Sequence, residues 1–150
     1  MKYLFAGCVL SLFSLVAIAS DPSTPEGLWQ TFDSSGKSEG VIRVYEDHGA
    51  YFARLVDPKP GEGPHKRCTR CTDERKDQPY DGLVIVRNMR REGDDDEYSG
   101  GDVLDPDSGK IYGCKLKVTD GGQRLIMRGF FGVSLFGRSQ TWERIKALPQ

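Results

Sequence analysis

The stretch Lys110–Val118, KIYGCKLKV, shows most clearly what kind of fold the chain adopts. Tyr112, Cys114, Leu116 and Val118 occupy alternate positions, and lysines occupy two of the positions between them. Successive side chains of a β-strand point to opposite faces, so this alternation is typical of a strand with one buried face and one solvated face. The pattern predicts a strand whose apolar face, Cys114 included, points into the core.

Similar short stretches lie on both sides of this one, at a spacing of about ten residues. They are separated by turn clusters such as DPDSG at 105–109 and TDGG at 119–122, in which proline and glycine favour reversal of the chain. The predicted strands are Gly27–Phe32, Gly40–Glu46, Ala50–Val56, Gly82–Arg90, Tyr98–Leu104, Lys110–Val118, Gln123–Phe131 and Phe136–Ile145. We therefore predict an all-β protein, a single eight-stranded antiparallel up-and-down barrel, because closure removes the exposed sheet edges.

The first 19 residues have the pattern of an export signal. Lys2 supplies a positive charge, residues 3–16 are almost entirely apolar, and Ala17-Ile18-Ala19 offers the small residues that signal peptidase recognises. The apolar run is too short to remain as a membrane anchor. The sequence predicts a cleaved signal peptide at residues 1–19 and one mature domain at residues 20–150, located in the periplasm or secreted.

The charge balance argues against some classes of partner. The chain has 21 Lys and Arg against 22 Asp and Glu, a formal net charge of −1. Nucleic-acid binding proteins need an excess of positive charge to neutralise phosphates, so no nucleic-acid partner is predicted. No second apolar segment is long enough to span a membrane, so the mature protein is predicted to have no membrane span.

One long loop, at about residues 57–81, interrupts the regular spacing of the strands. Loops of more than about fifteen residues in a compact domain are usually functional or disordered. This loop contains Cys68 and Cys71, and Cys114 is the third cysteine of the predicted mature chain. An oxidising compartment allows one disulfide among the three, and the sequence does not select the pair. Loop-closure entropy gives about 2 kcal/mol for a Cys68–Cys71 bridge and about 4 kcal/mol for a bridge to Cys114.

The Cys68-x-x-Cys71 spacing also occurs in metal and haem sites. A zinc site would need two further ligands, and haem attachment would need histidine where Thr72 follows Cys71. We therefore predict no metal and no cofactor. Only two histidines are present, His48 in a turn and His65 in the loop, and they do not identify a nucleophile and base. No catalytic residue is predicted, and the chain is not expected to be an enzyme.

Gly27-Leu28-Trp29 opens the first predicted strand, and Trp142-Glu143-Arg144 lies in the last one. This arrangement resembles the calycin signature, in which a basic side chain of the closing strand covers the indole of a Gly-x-Trp motif. Gly27, Trp29, Trp142 and Arg144 are therefore expected to be structural. An Arg144 guanidinium on the face of Trp29 would close one end of the barrel with a cation–π contact of about 0.5–2 kcal/mol.

Longer strings of sequence resemble one bacterial family, called domain of unknown function 2147. The strings are GLWQTFD at 27–33, CTRC at 68–71, SGGDVLDPDSGKIY at 99–112, RGFFG at 128–132 and GRSQTW at 137–142. The resemblance covers essentially the whole mature chain. It implies a lipocalin-like (calycin) barrel in an exported bacterial protein, and it implies no activity.

The last predicted strand suggests a binding function. Phe136, Arg138, Gln140, Trp142 and Arg144 share one face, which we expect to be the interior because it is the bulkier face. An eight-stranded barrel can hold one small ligand, and buried arginines must be paired or must meet an anion. The predicted site for a small apolar or amphiphilic ligand, with an acidic head, comprises Arg128, Arg138, Gln140, Tyr112, Phe130, Phe131, Phe136 and Leu116.

Two alternatives remain open at this stage. The arginines that fall within strands, Arg43, Arg54, Arg87, Arg128 and Arg138, could face solvent or form internal salt bridges, because most arginines lie at the surface. The barrel could also be a filled scaffold. In that case, the loop at 57–81 would contact a protein partner in the cell envelope.

Overall fold

Eight antiparallel strands in the computed structural model close into a barrel, in which each strand pairs with the next and the last pairs with the first. The structure describes residues 23–57, 66–93, 95–133 and 135–149. The strands are β1 (Gly27–Phe32), β2 (Ser38–Asp47), β3 (Ala50–Asp57), β4 (Val84–Arg91), β5 (Glu97–Asp105), β6 (Lys110–Thr119), β7 (Arg124–Phe130) and β8 (Gly137–Ile145). The prediction of an all-β, up-and-down barrel is confirmed.

The predicted signal peptide, residues 1–19, lies outside the described residues. Among the residues described, no helix is long and apolar enough to cross a bilayer.

Strand ends differ from the prediction by one or two residues where a turn uses the end of a predicted strand. β4 begins at Val84 because Gly82, with φ +81°, lies in a turn in which the Leu83 N–H donates to the Tyr80 carbonyl at 3.0 Å. β7 begins at Arg124 because a single 3₁₀ turn over Asp120–Gly122 precedes it.

The predicted alternation in β6 places Cys114, Leu116 and Val118 inside the barrel, each less than 5% exposed. Their neighbours on adjacent strands follow the same period of two. The interior is filled by further buried apolar side chains, among them Trp29, Ile42, Val44, Ala53, Met89, Tyr98, Leu125 and Trp142. A single apolar core therefore occupies one part of the bore.

The two ends of the barrel differ, and one of them is closed by Trp29. β1 begins and β8 finishes at this end. The Trp29 side chain has no exposed surface, and its indole N–H donates to the Pro25 carbonyl at 2.8 Å. The Arg144 guanidinium carbon lies 4.3 Å from the centre of the Trp29 ring, which is cation–π distance. We call this the closed end.

Arg144 also joins β8 to two other segments of backbone at the closed end, one before β1 and one before β7. Its guanidinium donates to the carbonyl oxygens of Thr24, Glu26 and Gly122. Gly27 leaves room for it: φ is +135° there, and a Cβ would lie 2.7 Å from the Arg144 Nη1 atom. Glycine is therefore required at position 27 both for its backbone conformation and for the space that Arg144 occupies.

Four connections meet at the opposite end, which we call the open end. They are the β1–β2 turn at 33–37, the described part of the β3–β4 connection at 66–83, the β5–β6 turn at 106–109 and the β7–β8 connection at 131–136.

Candidate ligand-binding site

A cavity of about 1020 Å³ lies at the open end of the barrel. Its buried wall is apolar and is formed by Ile42, Ile85, Val103, Leu104, Met127 and Trp142. Polar side chains also line it, and these are Thr31, Glu39, Lys66, Tyr80, Asp105, Asp107, Arg138 and Gln140. Pockets for small molecules are typically about 300–1,000 Å³ and mostly apolar with a few polar groups, so this cavity has the size and composition of a ligand site.

Residue size along the inward faces explains why only one end is hollow. Towards the closed end, the inward side chains are as large as Trp29, Leu116 and Leu125, and all three are buried. Towards the open end, the inward face of β7 continues from Met127 to Gly129, which has no side chain to fill the bore. The half of the barrel next to the closed end is therefore packed, and the half next to the open end contains the cavity.

Arg138 and Gln140 provide hydrogen-bond donors on the cavity wall. The alternation in β8 places Arg138, Gln140 and Trp142 among the residues that line the cavity, but only Trp142 is buried, whereas Arg138 and Gln140 are exposed at the open end instead of lying in the interior. The Trp142 indole N–H donates to Gln140 Oε1 at 3.1 Å, which leaves the Gln140 amide N–H groups as donors. Within the part of the chain that the structure describes, the guanidinium of Arg138 makes no ion pair and no hydrogen bond. The wall thus presents a guanidinium and an amide next to apolar surface.

Aromatic side chains surround the mouth of the cavity. The rings of Tyr112 and Phe131 are in contact, with 4.5 Å between their centres. Phe136 also lines the cavity, yet it is 71% exposed. Phe130 borders the cavity, but its ring covers Gly113, where a Cβ would lie 2.7 Å from Phe130 Cε2. Tyr112, Phe131 and Phe136 are therefore the predicted aromatic residues that the structure brings together at the mouth.

Two of the predicted site residues lie elsewhere. Arg128 is on the outer face, where it donates to Ser139 Oγ and to the Leu135 carbonyl, each at 3.1 Å. It points outward because its neighbours Met127 and Gly129 point inward. Leu116 does point inward, but it belongs to the packed core and does not reach the cavity. The expectation that Arg128 and Arg138 share one acidic group is wrong, since they lie on opposite faces of the sheet.

Three other strand arginines also point away from the bore. Arg43 and Arg54 are exposed, and the guanidinium of Arg54 lies over the ring of Tyr45. Arg87 forms ion pairs with Asp102 and with acidic residues of the β3–β4 connection. The structure therefore bears out the alternative reading for these three arginines: Arg43 and Arg54 face solvent, and Arg87 forms internal salt bridges.

The disulfide joins Cys68 to Cys71, the local pair, with 5.4 Å between their Cα atoms. The larger loop-entropy gain of a bridge to Cys114 is not realised, and Cys114 is a buried free thiol. Both bridged cysteines are buried, at 0% and 2% exposure. The disulfide therefore forms part of the packed structure around the mouth.

The described part of the long loop, residues 66–83, is fixed to the β5–β6 turn. Lys66 Nζ lies 2.8 Å from Asp107 Oδ1, and the Tyr80 hydroxyl lies 3.0 Å from the same oxygen. A Cβ on Gly109 would lie 1.9 Å from the Arg70 carbonyl oxygen, so the two segments are in direct backbone contact. Lys66, Tyr80 and Asp107 all line the cavity, and none of them was predicted from the sequence. The one sequence feature that could have indicated this contact is Tyr80, a large aromatic residue in an otherwise charged loop.

No metal site is evident in the residues described: no group of three or more His, Cys, Asp or Glu side chains is placed to hold an ion. His48 lies in the β2–β3 turn at the closed end, beside Asp47. His65 lies outside the described residues.

Cys114 is expected to be unreactive in the folded protein. Burial, with a smaller effect of the Asp102 charge, raises the pKa of its thiol from 9.0 to about 12. Thiolate is the reactive form, so an aromatic disulfide reagent at about pH 8 should label no cysteine until denaturant is added, and then one per mature chain. A thiol that is labelled at once without denaturant would contradict the buried placement.

The same shift predicts a loss of stability at alkaline pH. Between about pH 9 and pH 12 the Cys114 thiol ionises only in the unfolded chain, so the unfolded state binds fewer protons and the free energy of unfolding falls by about 1.4 kcal/mol per pH unit. Denaturant titrations of the wild type and of Cys114→Ala across this range isolate the effect. The variant should lack this part of the slope, and equal slopes would refute the assignment.

Comparisons with known proteins agree with the fold. The profile of the family described as "Uncharacterized protein conserved in bacteria (DUF2147)" matches residues 27–144. A solved structure, the protein HP1028 of Helicobacter pylori, described as belonging to the lipocalin family, superposes with a TM-score of 0.70 and 20% identity, over 81% of this chain and 82% of that one. At that identity the likeness concerns the fold alone. No curated protein matches the sequence significantly.

The family profile covers most of the chain, from the Gly27-x-Trp29 motif to Arg144. The prediction drawn from the sequence strings is thereby confirmed, and the barrel is lipocalin-like as expected. The chain belongs to the DUF2147 family of uncharacterized bacterial proteins.

Proposed function

We propose that the protein binds a small amphiphilic molecule with an acidic head group in the cavity at the open end of the barrel. The observation that carries this proposal is the pairing of a cavity of about 1020 Å³, apolar along its buried wall, with an Arg138 side chain that has no partner among the described residues. An unpaired cation at the edge of an apolar cavity has the chemistry to receive an anion whose tail is apolar.

The two parts of such a ligand would meet different surfaces. Its tail would contact the buried side chains Val103, Leu104 and Met127, where each buried methylene group contributes about 0.8 kcal/mol. Its acidic head would accept hydrogen bonds from the Arg138 guanidinium and the Gln140 amide. Hydrogen bonds between charged groups are about twice as strong as those between neutral ones, so an acid should bind better than the corresponding alcohol.

The place of action in this proposal is the periplasm. Its support is the signal pattern of residues 1–19 together with the Cys68–Cys71 disulfide, since such bonds persist in oxidising compartments.

Binding is favoured over the two alternatives. A lipocalin-like fold typically serves binding rather than catalysis. The interaction-module hypothesis relied on a free loop at 57–81. The described part of that loop is fixed to the barrel instead, through Lys66 and Tyr80.

The test is the affinity for dodecanoate and for its uncharged counterpart 1-dodecanol, measured by isothermal titration calorimetry. Dodecanoate should bind the wild type, and Arg138→Ala should lower the affinity for dodecanoate about tenfold, the equivalent of about 1.4 kcal/mol. Dodecanol should bind both proteins equally. Arg43→Ala, which removes an exposed arginine from the outer face of β2, is the matched control and should bind as the wild type does. Equal loss in both variants, or no binding of either probe, would overturn the proposal.

A further inference from the structure

The β7–β8 connection exposes four large apolar side chains beside the mouth of the cavity. Phe131 is 59% exposed, Val133 61%, Leu135 77% and Phe136 71%. We call these four residues the β7–β8 tip. Single exposed apolar residues are common, but four within six positions form a patch, and such patches mark sites of interaction with proteins or membranes.

Hydrogen bonds within the hairpin hold the tip in this exposed form. The Phe136 N–H donates to the Val133 carbonyl at 3.1 Å, and the Phe131 N–H donates to the Phe136 carbonyl at 3.4 Å. Arg128, on the outer face of β7, donates to the Leu135 carbonyl at 3.1 Å. The backbone of the tip is therefore braced, and its apolar side chains are exposed at the mouth of the cavity.

The charged side chains of the β7–β8 hairpin itself all have one sign, although Glu39, Asp105 and Asp107 of other strands and turns line the same cavity. Residues 124–141, which comprise β7, the tip and the first half of β8, contain three arginines and no Asp, Glu, Lys or His, whereas the whole chain has a net charge of −1. Arg124 pairs with Asp120 at the closed end. Arg128 donates to the Leu135 carbonyl of the tip, and the side chain of Arg138, two residues after Phe136, has no partner among the described residues.

We propose that the β7–β8 tip docks the barrel onto the surface of a lipid bilayer that contains anionic lipids. A hairpin that exposes apolar side chains and carries arginines but no acidic residue suits the interface between head groups and acyl chains, where arginines meet the phosphates. Docking in this orientation puts the cavity mouth next to the bilayer. The inference goes beyond the proposed function and does not require a bound ligand.

The experiment is flotation of the protein, beginning at Ser20, with vesicles of phosphatidylcholine that contain about 30 mol % phosphatidylglycerol, at low ionic strength. We expect the wild type to float with these vesicles, less with pure phosphatidylcholine, and less at about 0.5 M salt, where charges are screened. Val133→Glu should lower the bound fraction about tenfold, because it replaces an inserted apolar group with a charge that the lipids repel. Val133 does not line the cavity, so dodecanoate binding should be unchanged.

Leu148→Glu is the matched control. Leu148 is an exposed apolar residue beyond the end of β8, at the closed end, and its substitution makes the same change of charge away from the tip. It should float as the wild type does. The proposal is overturned if the wild type stays with the soluble fraction, if both variants behave alike, or if ultracentrifugation shows that Val133→Glu converts a wild-type dimer into a monomer. The last result would make the tip an interface between two copies of the chain.

Discussion

Replacing Trp29 with alanine is expected to lower the free energy of unfolding by about 3–5 kcal/mol, the range found when a large aromatic side chain is removed from a core. Trp29 has no exposed surface and fills the closed end of the barrel. The variant loses the indole hydrogen bond to Pro25 and the cation–π contact with Arg144. It also leaves the Arg144 guanidinium over an empty space. Urea denaturation followed by far-ultraviolet circular dichroism measures the change.

Trp142→Ala is the matched comparison. Trp142 is also buried, at 2% exposure, but one side of it faces the cavity, so its removal enlarges an existing space instead of creating one. We expect a smaller loss of stability than for Trp29→Ala. If Trp29→Ala cost less than about 1 kcal/mol, or less than Trp142→Ala, the closed end would not be the well-packed end of the barrel.

Gly129→Phe should nearly abolish binding of dodecanoate while the barrel stays folded. A Cβ at position 129 would lie 3.4 Å from Val103 Cγ1 and 3.8 Å from Tyr112 Cβ, which are ordinary contact distances. A ring attached there would occupy the cavity where we place the tail of the ligand. We expect the affinity to fall about 100-fold, equivalent to about 2.8 kcal/mol, and the melting temperature to stay within a few degrees of the wild type.

Lys115→Phe is the control for this substitution. Lys115 lies on β6 next to Cys114, the register partner of Gly129, and its side chain is on the outer face. The same ring is added there without entering the cavity, so the affinity for dodecanoate should not change. Undiminished binding by a folded Gly129→Phe variant would mean that the ligand lies outside the bore.

The barrel could be predicted from the sequence because a closed sheet depends on a local pattern. The alternation from Tyr112 to Val118 fixes which side chains of β6 are inside, and the same period places Arg138 and Gln140 on the cavity side of β8. Applied strictly, this rule also excludes Arg128 from the cavity, since Leu125 and Met127 are the core residues of β7. Grouping Arg128 with Arg138 by charge alone is therefore misleading, because Arg128 occupies an outward position in the alternation of β7.

Other parts of the site could not be predicted, because they depend on contacts between segments distant in sequence. Tyr80 meets Asp107 across 27 positions, and neither residue belongs to a periodic pattern. The disulfide was ambiguous for a related reason. Spacing permits a Cys68–Cys71 bond, but it permits the other pairings as well, and only the folded structure shows Cys68 bonded to Cys71 and Cys114 as the free thiol.

Both ends of the described chain leave the barrel on the side that Trp29 and Arg144 close. A protein attached through either terminus to a bead, a sensor chip or a fusion partner will therefore hold its cavity away from the point of attachment, so terminal tags should not obstruct measurements of binding.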